Sequence, residues 1–332
     1  MAEMANKIFH IVGIRDAVDV SDKKIVPISE WKDRLYKFSR NKGAVIGLIF
    51  IIVAIFFSII GPSLTEYKYD EVNVSNQIFF PRIPGLEKLG VFDGSYKGHN
   101  SYNSYPDTYY LFGTDNLGRD LWTRVFLGTK ISVYVAFMAV LIDMTIGIII
   151  GVLCGYYGGW FDIIVQRILE VIQGIPTVIV VTLLMMVLKP GLATITIALC
   201  FAGWINMSHL VRAQVIKIKE NEFVLAAKTM GESDFKIIFK EILPNVFGQI
   251  IVMAMMSIPE AIFLEAYLSF LGLGIPDPMA SLGSLINNGF NYMLLYPYMV
   301  IIPVVIFVLL MISFNLVADG LRDAFDATIG GA

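Results

Sequence analysis

Residues 220–245 read ENEFVLAAKTMGESDFKIIFKEILPN and form a polar island between two very apolar segments. Apolar side chains recur within it at i, i+3, i+4 and i+7, the spacing of one helical face. The two sets are Phe223, Ala226, Ala227 and Met230 before Gly231, then Phe235, Ile238, Phe239 and Ile242 before Pro244. Glycine commonly ends a helix, and proline interrupts one. The pattern therefore predicts two short amphipathic helices whose apolar faces need a covering partner.

The composition on either side of the island indicates a protein that lives in a bilayer. Of the 332 residues, 56% are hydrophobic, and the mean hydropathy is +0.70. The net charge of −3 gives no electrostatic argument for nucleic acid. Cys154 and Cys200 both lie in apolar runs, which argues against a disulfide framework or a metal cluster. The sequence also contains no catalytic motif of a membrane enzyme, so we expect neither catalytic residues nor a bound metal.

Six apolar segments are long enough to cross about 30 Å of hydrocarbon. They cover residues 43–61, 131–157, 163–188, 191–211, 246–275 and 298–318. The first follows a charged tail and has no small-residue cleavage site behind it, which favours a membrane anchor over a signal peptide. The third is broken at Gly174-Ile175-Pro176, and Arg167 and Glu170 near its start have the spacing of an ion pair.

Lysine and arginine near the ends of the spans predict the orientation. Nine lie before Gly43 and six lie between Arg212 and Pro244, whereas the loop from 275 to 297 has none. The loop between the first two spans carries six, but loops beyond roughly 60 residues count little in this rule. We therefore expect both termini and the island to be cytosolic.

The predicted fold is an all-α polytopic membrane protein with six transmembrane helices. Its predicted parts are a cytosolic tail (1–42), the first span (43–61), an extracytoplasmic loop (62–129), a five-span core (130–319) with the island at 220–244, and a cytosolic tail (320–332). The large outer loop is too rich in aromatic residues for a disordered linker. It is expected to be a small folded cap that either rests on the membrane or receives an extracellular partner.

The island resembles the EAA loop of permease subunits in bacterial ABC importers. Five positions match the pattern of that loop at the family spacing: Ala226, Ala227, Gly231, Leu243 and Pro244. Two positions depart from it, since Leu225 stands where the family often has glutamate and Glu241 where it often has isoleucine. Glu222-Phe223-Val224, just before the alanines, is similar to the peptide-importer branch.

A second stretch, residues 112–120, reads FGTDNLGRD and resembles the FGTD..GRD signature of the oligopeptide/dipeptide/nickel permeases. More particularly, it is similar to the C-type member of the heteromeric permease pair. Further similar stretches are GYYGGWFD at 155–162 and LSFLGLG at 268–274. The resemblance covers nearly all of the chain after Arg34.

The resemblance implies the transport subunit of an importer in the bacterial inner membrane. Its implied partners are a second, B-type permease, two cytosolic ABC ATPases, and an extracellular or periplasmic peptide-binding protein. ATP and Mg would be bound by the ATPases, because this chain has no phosphate-binding G-x-x-x-x-G-K-[ST] loop. The residues implied to couple the chain to an ATPase are Glu222, Phe223, Ala226, Ala227, Met230, Gly231, Phe235, Leu243 and Pro244.

Acidic residues within the predicted spans are candidates for a translocation path, because charge in a membrane is costly and often functional. Asp143, Glu260 and Glu265 are the main candidates, and Glu170 is a weaker one. For each of them, the competing interpretation is a structural hydrogen bond to another span.

The outer motif also allows two interpretations. Its candidate residues are Gly113, Thr114, Asp115, Gly118, Arg119 and Asp120. The acidic residues suggest a calcium loop, but the EF-hand pattern is not met and Arg119 would lie beside the ion. A turn with Arg119 paired to Asp115 or Asp120 is favoured instead.

Two alternative functions for the protein and one alternative interpretation of the island remain open. A nickel-type permease of the same family fits the motifs equally well. An ion-coupled secondary transporter would be expected to show two similar halves, which this sequence lacks. An amphipathic hairpin lying on lipid is the alternative for the island, but its charges are too balanced to favour anionic lipid.

Overall fold

The computed structural model describes residues 30–89, 92–96, 99–102 and 107–325, and within them the fold is a bundle of helices. The helices are α1 (Glu30–Arg40), α2 (Lys42–Ile60), α3 (Leu121–Tyr157), α4 (Gly159–Gln173), α5 (Thr177–Leu188), α6 (Leu192–Lys219), α7 (Glu222–Thr229), α8 (Asp234–Leu273), α9 (Leu282–Phe290) and α10 (Tyr298–Phe325). Two short strands, β1 (Ser95–Tyr96) and β2 (His99–Asn100), pair antiparallel in the outer loop. Expectations for residues 1–29 and 326–332 lie outside the described residues.

The all-α membrane fold is confirmed. Five helices are long and apolar enough to cross a membrane, namely α2, α3, α6, α8 and α10. The predicted third span is instead a bent pair, because α4 and α5 meet at 79°. The bend lies at Gly174-Ile175-Pro176, where proline lacks the N–H that a continuous helix needs. Whether this pair counts as a sixth span stays a prediction.

The most extensive contact between two helices of the described bundle is that of α3 with α6. Gly147, Gly151 and Gly155 form a stripe along α3 at i, i+4 and i+8, and it faces Met207, Val211 and Val215 of α6. A methyl group added at these glycines would lie within 2.6–2.8 Å of atoms of α6. Small residues at such spacing let two membrane helices approach closely enough for their backbones to pack. We call this contact the α3–α6 seam.

Both described ends of the chain lie at the same end of the bundle. The Asn41 side chain caps α2 and donates a hydrogen bond to Asp323 of α10 at 3.0 Å. The guanidinium of Arg34 stacks on the Phe325 ring at 4.8 Å. Phe325 in turn packs beside Gly248, near the start of α8. The island therefore lies at the end of the molecule where α1 and α10 meet.

The expectation that Pro244 stops a second short helix is wrong. The helix that begins at Asp234 continues through Pro244 to Leu273 as α8. A π-helical turn at Ile237–Ile242 directly precedes the proline, and the Leu243 N–H donates to Ile238 rather than to the usual carbonyl. Proline collides with the i−4 carbonyl in a regular α-helix, and a wider turn relieves that collision.

The helix α3 begins at Leu121, well before Ile131, where hydropathy predicts the second span. Asp120 caps it, since its carboxylate accepts hydrogen bonds from Thr123 N–H at 2.9 Å and Thr123 Oγ1 at 2.5 Å. The outer loop therefore ends at Asp120 rather than at residue 129. The outer motif sits directly on the end of a membrane-spanning helix.

Candidate functional site

The island presents an apolar surface that its own chain leaves uncovered. Large side chains of α7, the turn after it and early α8 are exposed, among them Phe223 (42%), Met230 (75%), Phe235 (70%) and Phe239 (56%). The Phe235 and Phe239 rings pack against each other with centroids 4.4 Å apart. We call these four residues, together with the exposed Ala226 between them, the coupling surface.

The turn between α7 and α8 gives this surface its shape. Gly231 has a φ of +80°, a conformation that glycine adopts without steric cost. The Glu232 N–H then donates back to the Ala227 carbonyl at 3.1 Å, and the Met230 N–H donates to Ala226 at 2.9 Å. These bonds close the end of α7. As predicted, the helix ends at Gly231, so the chain reverses toward α8.

Some residues expected on the partner-facing side instead point into the bundle. Ala227 is 4% exposed and packs with Val224 in the core, and Ile238 and Ile242 are buried there too. Helical periodicity predicts which residues share an apolar face. It does not predict which of those residues pack into the bundle and which remain exposed. The π-helical turn then rotates Ile238 and Ile242 away from Phe235 and Phe239.

The remaining predicted coupling residues lie on or beside this surface. Glu222, Gly231 and Pro244 are exposed, and Leu243 is half-buried against the core. A hydrogen bond from Lys236 lowers the pKa of the Glu232 carboxyl at the turn. The surface is thus apolar in the middle and charged at its edges.

Hydrogen bonds attach the island to the α3–α6 seam. Tyr156 Oη, near the end of α3, donates to Asp234 Oδ1 at 2.7 Å. Lys219 Nζ, at the end of α6, donates to the Gly155 carbonyl at 2.8 Å. Because α7 follows α6 after two residues, a movement of the island would displace both α3 and α6.

Inside the bundle, a cavity of about 170 Å³ lies among α3, α5, α6 and α8. Two of the predicted path residues line it, Asp143 and Glu260, together with Thr177, Asn206 and Ser257. Asp143 is 8% exposed, whereas Glu260 is exposed at the edge. The structure thus brings together two acids that are far apart in sequence.

Glu265 does not line this cavity. Its side chain is fully buried and accepts hydrogen bonds from Ser132 at 2.8 Å and Ser269 at 2.7 Å. Ser132 Oγ also accepts a bond from the Leu282 N–H, so the carboxylate helps to hold α3, α8 and α9 together. For Glu265, the geometry favours the structural interpretation. Glu170 pairs with Arg167 at 2.6 Å, as its spacing predicts, and both side chains are exposed.

The outer motif forms a buried ion-pair network. Arg119 Nε donates to Asp115 at 2.6 Å, and Arg119 and Arg124 both donate to Asp277, at 2.9 and 3.2 Å. Asp115 also accepts the N–H groups of Leu117 and Arg119. Arg119 is 3% exposed and Arg124 is fully buried. We call this group the outer network.

The outer network agrees with a turn stabilised by Arg119 and Asp115. The alternative partner, Asp120, caps α3 instead, so its carboxylate is engaged elsewhere. The sequence analysis did not identify Asp277, which comes from a loop more than 150 residues away. The sequence signal that could have identified Asp277 is that it is a lone acidic residue in a loop without lysine or arginine.

The described part of the outer loop is packed around aromatic side chains, as expected of a folded cap. Tyr67 stacks on Tyr110 with centroids 4.4 Å apart, and Phe79 meets Tyr102 edge-on at 4.8 Å. Thr114 of the motif accepts the Phe79 N–H at 2.8 Å. Burial raises the pKa of Tyr67 to about 12, so its hydroxyl stays neutral at physiological pH.

Comparison with known proteins agrees with the features described above. Residues 147–331 match the family described as binding-protein-dependent transport system inner membrane component. Residues 29–82 match the N-terminal TM domain of oligopeptide transport permease C. The fold is thus that of a membrane permease. The chain belongs to the binding-protein-dependent inner-membrane permeases of ABC importers, in the peptide-transport group.

Similar proteins cover nearly the whole chain. The oligopeptide transport system permease protein OppC of Bacillus subtilis (strain 168) is 38% identical over 94% of this chain and 93% of its own length. The dipeptide transport system permease protein DppC of Lactococcus lactis subsp. cremoris (strain MG1363) is 38% identical over 98% of both chains. The chain is therefore a multi-pass transport subunit rather than an enzyme.

One solved structure shares the fold. A chain of the inward-facing MetNI methionine ABC transporter superposes with a TM-score of 0.51 over 61% of this chain and 97% of its own. The sequence identity is 17%, so the likeness concerns the fold alone.

Proposed function

We propose that this chain is one of two permeases of an ATP-driven importer for oligopeptides or dipeptides. A second permease would complete the translocation path, and two cytosolic ATPases would bind ATP and Mg. An extracytoplasmic binding protein would deliver the peptide to the outer cap. The names of the similar permeases, oligopeptide and dipeptide transport proteins, support this substrate class.

The observation that carries the proposal is the exposed coupling surface. Its four large apolar residues lie on α7, in the turn and at the start of α8, where they are costly in water and call for a partner. A groove on an ATPase can receive such a helix through its apolar anchors, with charged residues at the rim. Lipid is a poorer match, since Glu222, Glu232 and Asp234 lie beside Lys228, Lys236 and Lys240.

The position of the coupling surface supports a cytosolic location for it and for both termini. The island and the described chain ends share one end of the bundle. The cap and the outer network form the opposite end of α3. The distribution of lysine and arginine supports a cytosolic position for the first end.

ATP hydrolysis would act on this chain through rigid-body motion. Closure of the ATPases would displace the island, and the Tyr156–Asp234 hydrogen bond would pass that displacement to α3. The short link from α7 to α6 would pass it to α6, which Lys219 joins to the Gly155 carbonyl of α3. The cavity between α3 and α6 contains Asp143 and lies within the elements that would move. Access to the path would change as a result.

Reconstitution into vesicles tests the proposal. The chain, the second permease, both ATPases and the binding protein are assembled, and uptake of a labelled dipeptide is measured with ATP inside or outside. We expect uptake that requires the ATPases, the binding protein and ATP. Uptake driven by an ion gradient alone would contradict it. Uptake of nickel ions but not of peptide would indicate the nickel-type permease instead.

A further inference from the structure

The cavity among α3, α5, α6 and α8 contains a carboxylate without a partner. Within the described residues, Asp143 forms no hydrogen bond or ion pair, and its Oδ1 is completely shielded. It is held in place from one side, because a methyl group at Gly203 would lie 2.4 Å from its Oδ2. Its remaining exposure opens to the cavity that it lines. A charged carboxylate in such a site is stabilised when a cationic group pairs with it.

The lining of the cavity describes the group that fits. A second carboxylate, Glu260, stands at the exposed edge, and none of the lining residues is basic. The hydroxyls and the amide of Thr177, Ser257 and Asn206 add neutral hydrogen-bonding groups. The rest of the wall is apolar: Ala139, Leu199, Ala261 and Leu264. The site is therefore anionic at one point and apolar around it.

An organic ammonium group matches this lining better than a bare metal ion. A metal ion fits less well, because the cavity offers only two carboxylates, four of its wall residues are apolar, and the described residues hold no group of three or more histidine, cysteine or acidic side chains that could bind one. The volume of about 170 Å³ also exceeds the ~30 Å³ share of one water molecule. There is space for an ammonium group and the small carbon skeleton attached to it.

We propose that this cavity binds the N-terminal ammonium group of a peptide, with Asp143 and Glu260 as its carboxylate partners. Glu260 at the edge meets the ammonium first, and Asp143 holds it inside. Ala139 and Leu264 contact the first side chain. This inference rests on the proposed function as a peptide permease, since it names the part of the substrate that the path recognises.

Direct binding tests the inference without requiring transport. The full chain is purified in detergent together with its second permease and ATPases, and binding of dialanine and N-acetyl-dialanine is measured by calorimetry. We expect dialanine to bind and the acetylated peptide to bind at least about tenfold more weakly, the scale of one charge-assisted hydrogen bond. Asp143→Asn and Glu260→Gln should each weaken dialanine binding about as much and leave the acetylated peptide unaffected.

Glu170→Gln is the matched control, because its carboxylate lies in a membrane helix but is exposed and paired with Arg167. It should bind dialanine like the wild type. Glu260→Gln guards against misfolding, since the residue is exposed and its loss leaves the buried packing intact. Thermal midpoints of all variants are measured in parallel.

Three results would overturn the inference: no binding of dialanine, equal binding of both peptides, or unchanged binding in both cavity variants. A fourth such result would come from titration with sodium or potassium chloride in the absence of peptide. Binding of these ions that depends on Asp143 would make this an inorganic cation site. Uptake by the same preparation in vesicles reports on the proposed function separately. Binding without ATP-driven uptake would contradict that function alone, and uptake with unchanged variants would contradict this inference alone.

Discussion

The two ends of the molecule differ in whether their charged and apolar side chains find partners within the chain. At the outer end, two buried arginines find their carboxylates within the chain, and aromatic side chains pack on one another. At the opposite end, Phe235 and Met230 are left 70% and 75% exposed. The charged groups of the outer network thus find partners within the described chain, whereas the coupling surface leaves its aromatic and methionine side chains uncovered.

The largest expected effect comes from breaking the outer network. Arg119→Met leaves the buried Asp115 without its closest cation and should lower the free energy of unfolding by about 3 kcal/mol. Chemical denaturation in detergent measures this loss. Arg167→Met is the control, because that pair is exposed and should change stability by less than about 0.5 kcal/mol. Equal effects would show that burial of the network does not stabilise the outer end.

The second prediction separates folding from coupling. Phe235→Ser removes an exposed ring, so stability should stay within about 0.5 kcal/mol of the wild type. ATP-dependent uptake should fall at least about tenfold if the ring anchors an ATPase. Val74→Ser is matched to it, since Val74 is also 70% exposed but lies at the outer end. Normal uptake by the Phe235 variant would remove this ring from the coupling surface.

A smaller effect is expected at the turn that shapes the coupling surface. Gly231→Ala places a side chain at a φ of +80° and should cost about 1 kcal/mol, although there is open space around it. Hydrogen exchange of the α7 amides reports the local loss. Gly191→Ala is the control, because Gly191 also faces open space but has an extended φ of 167°. Equal exchange in both variants would argue against strain at Gly231.

The smallest effect concerns pH at the outer end. Partial burial opposes ionisation of Asp277, but Arg119 and Arg124 outweigh it and hold its pKa below the ordinary 3.8. A lowered pKa means that the pair stabilises the fold above about pH 4 and is lost as the pH falls through the lower value. The side chain is 58% exposed, so solvent weakens the effect. The thermal midpoint should drop less below pH 4 in Asp277→Asn, and an equal drop would contradict the pairing.

Hydropathy and local motifs predicted those parts of the fold that depend on neighbouring residues. The apolar runs marked the long helices, Pro176 marked the bend, and the spacing of Asp115 and Arg119 marked their ion pair. Each of these depends on residues that are close together along the chain. The Asp120 cap of α3 could also have been predicted, because Thr123 follows it at the spacing of a helix N-cap. Hydropathy alone did not reveal it.

Contacts between distant segments could not be read from the chain. Asp277 joins the outer network from a loop that follows α8, and Glu265 is satisfied by Ser132 of another helix. Both depend on how helices pack. The π-helical turn before Pro244 likewise has no periodic signal, so the second helix of the island was expected to end where it continues.

Close packing along the α3–α6 seam should make these two helices move together as one rigid unit. At Gly147, Gly151 and Gly155 the α3 backbone lies directly against the backbone and side chains of α6, so this contact leaves little room for a shift. The 37 residues of α3 span about 55 Å, from the capped Asp120 at the outer end to Tyr156 beside the coupling surface. A displacement of the α3 end beside the coupling surface should therefore reach the outer end through one continuous helix.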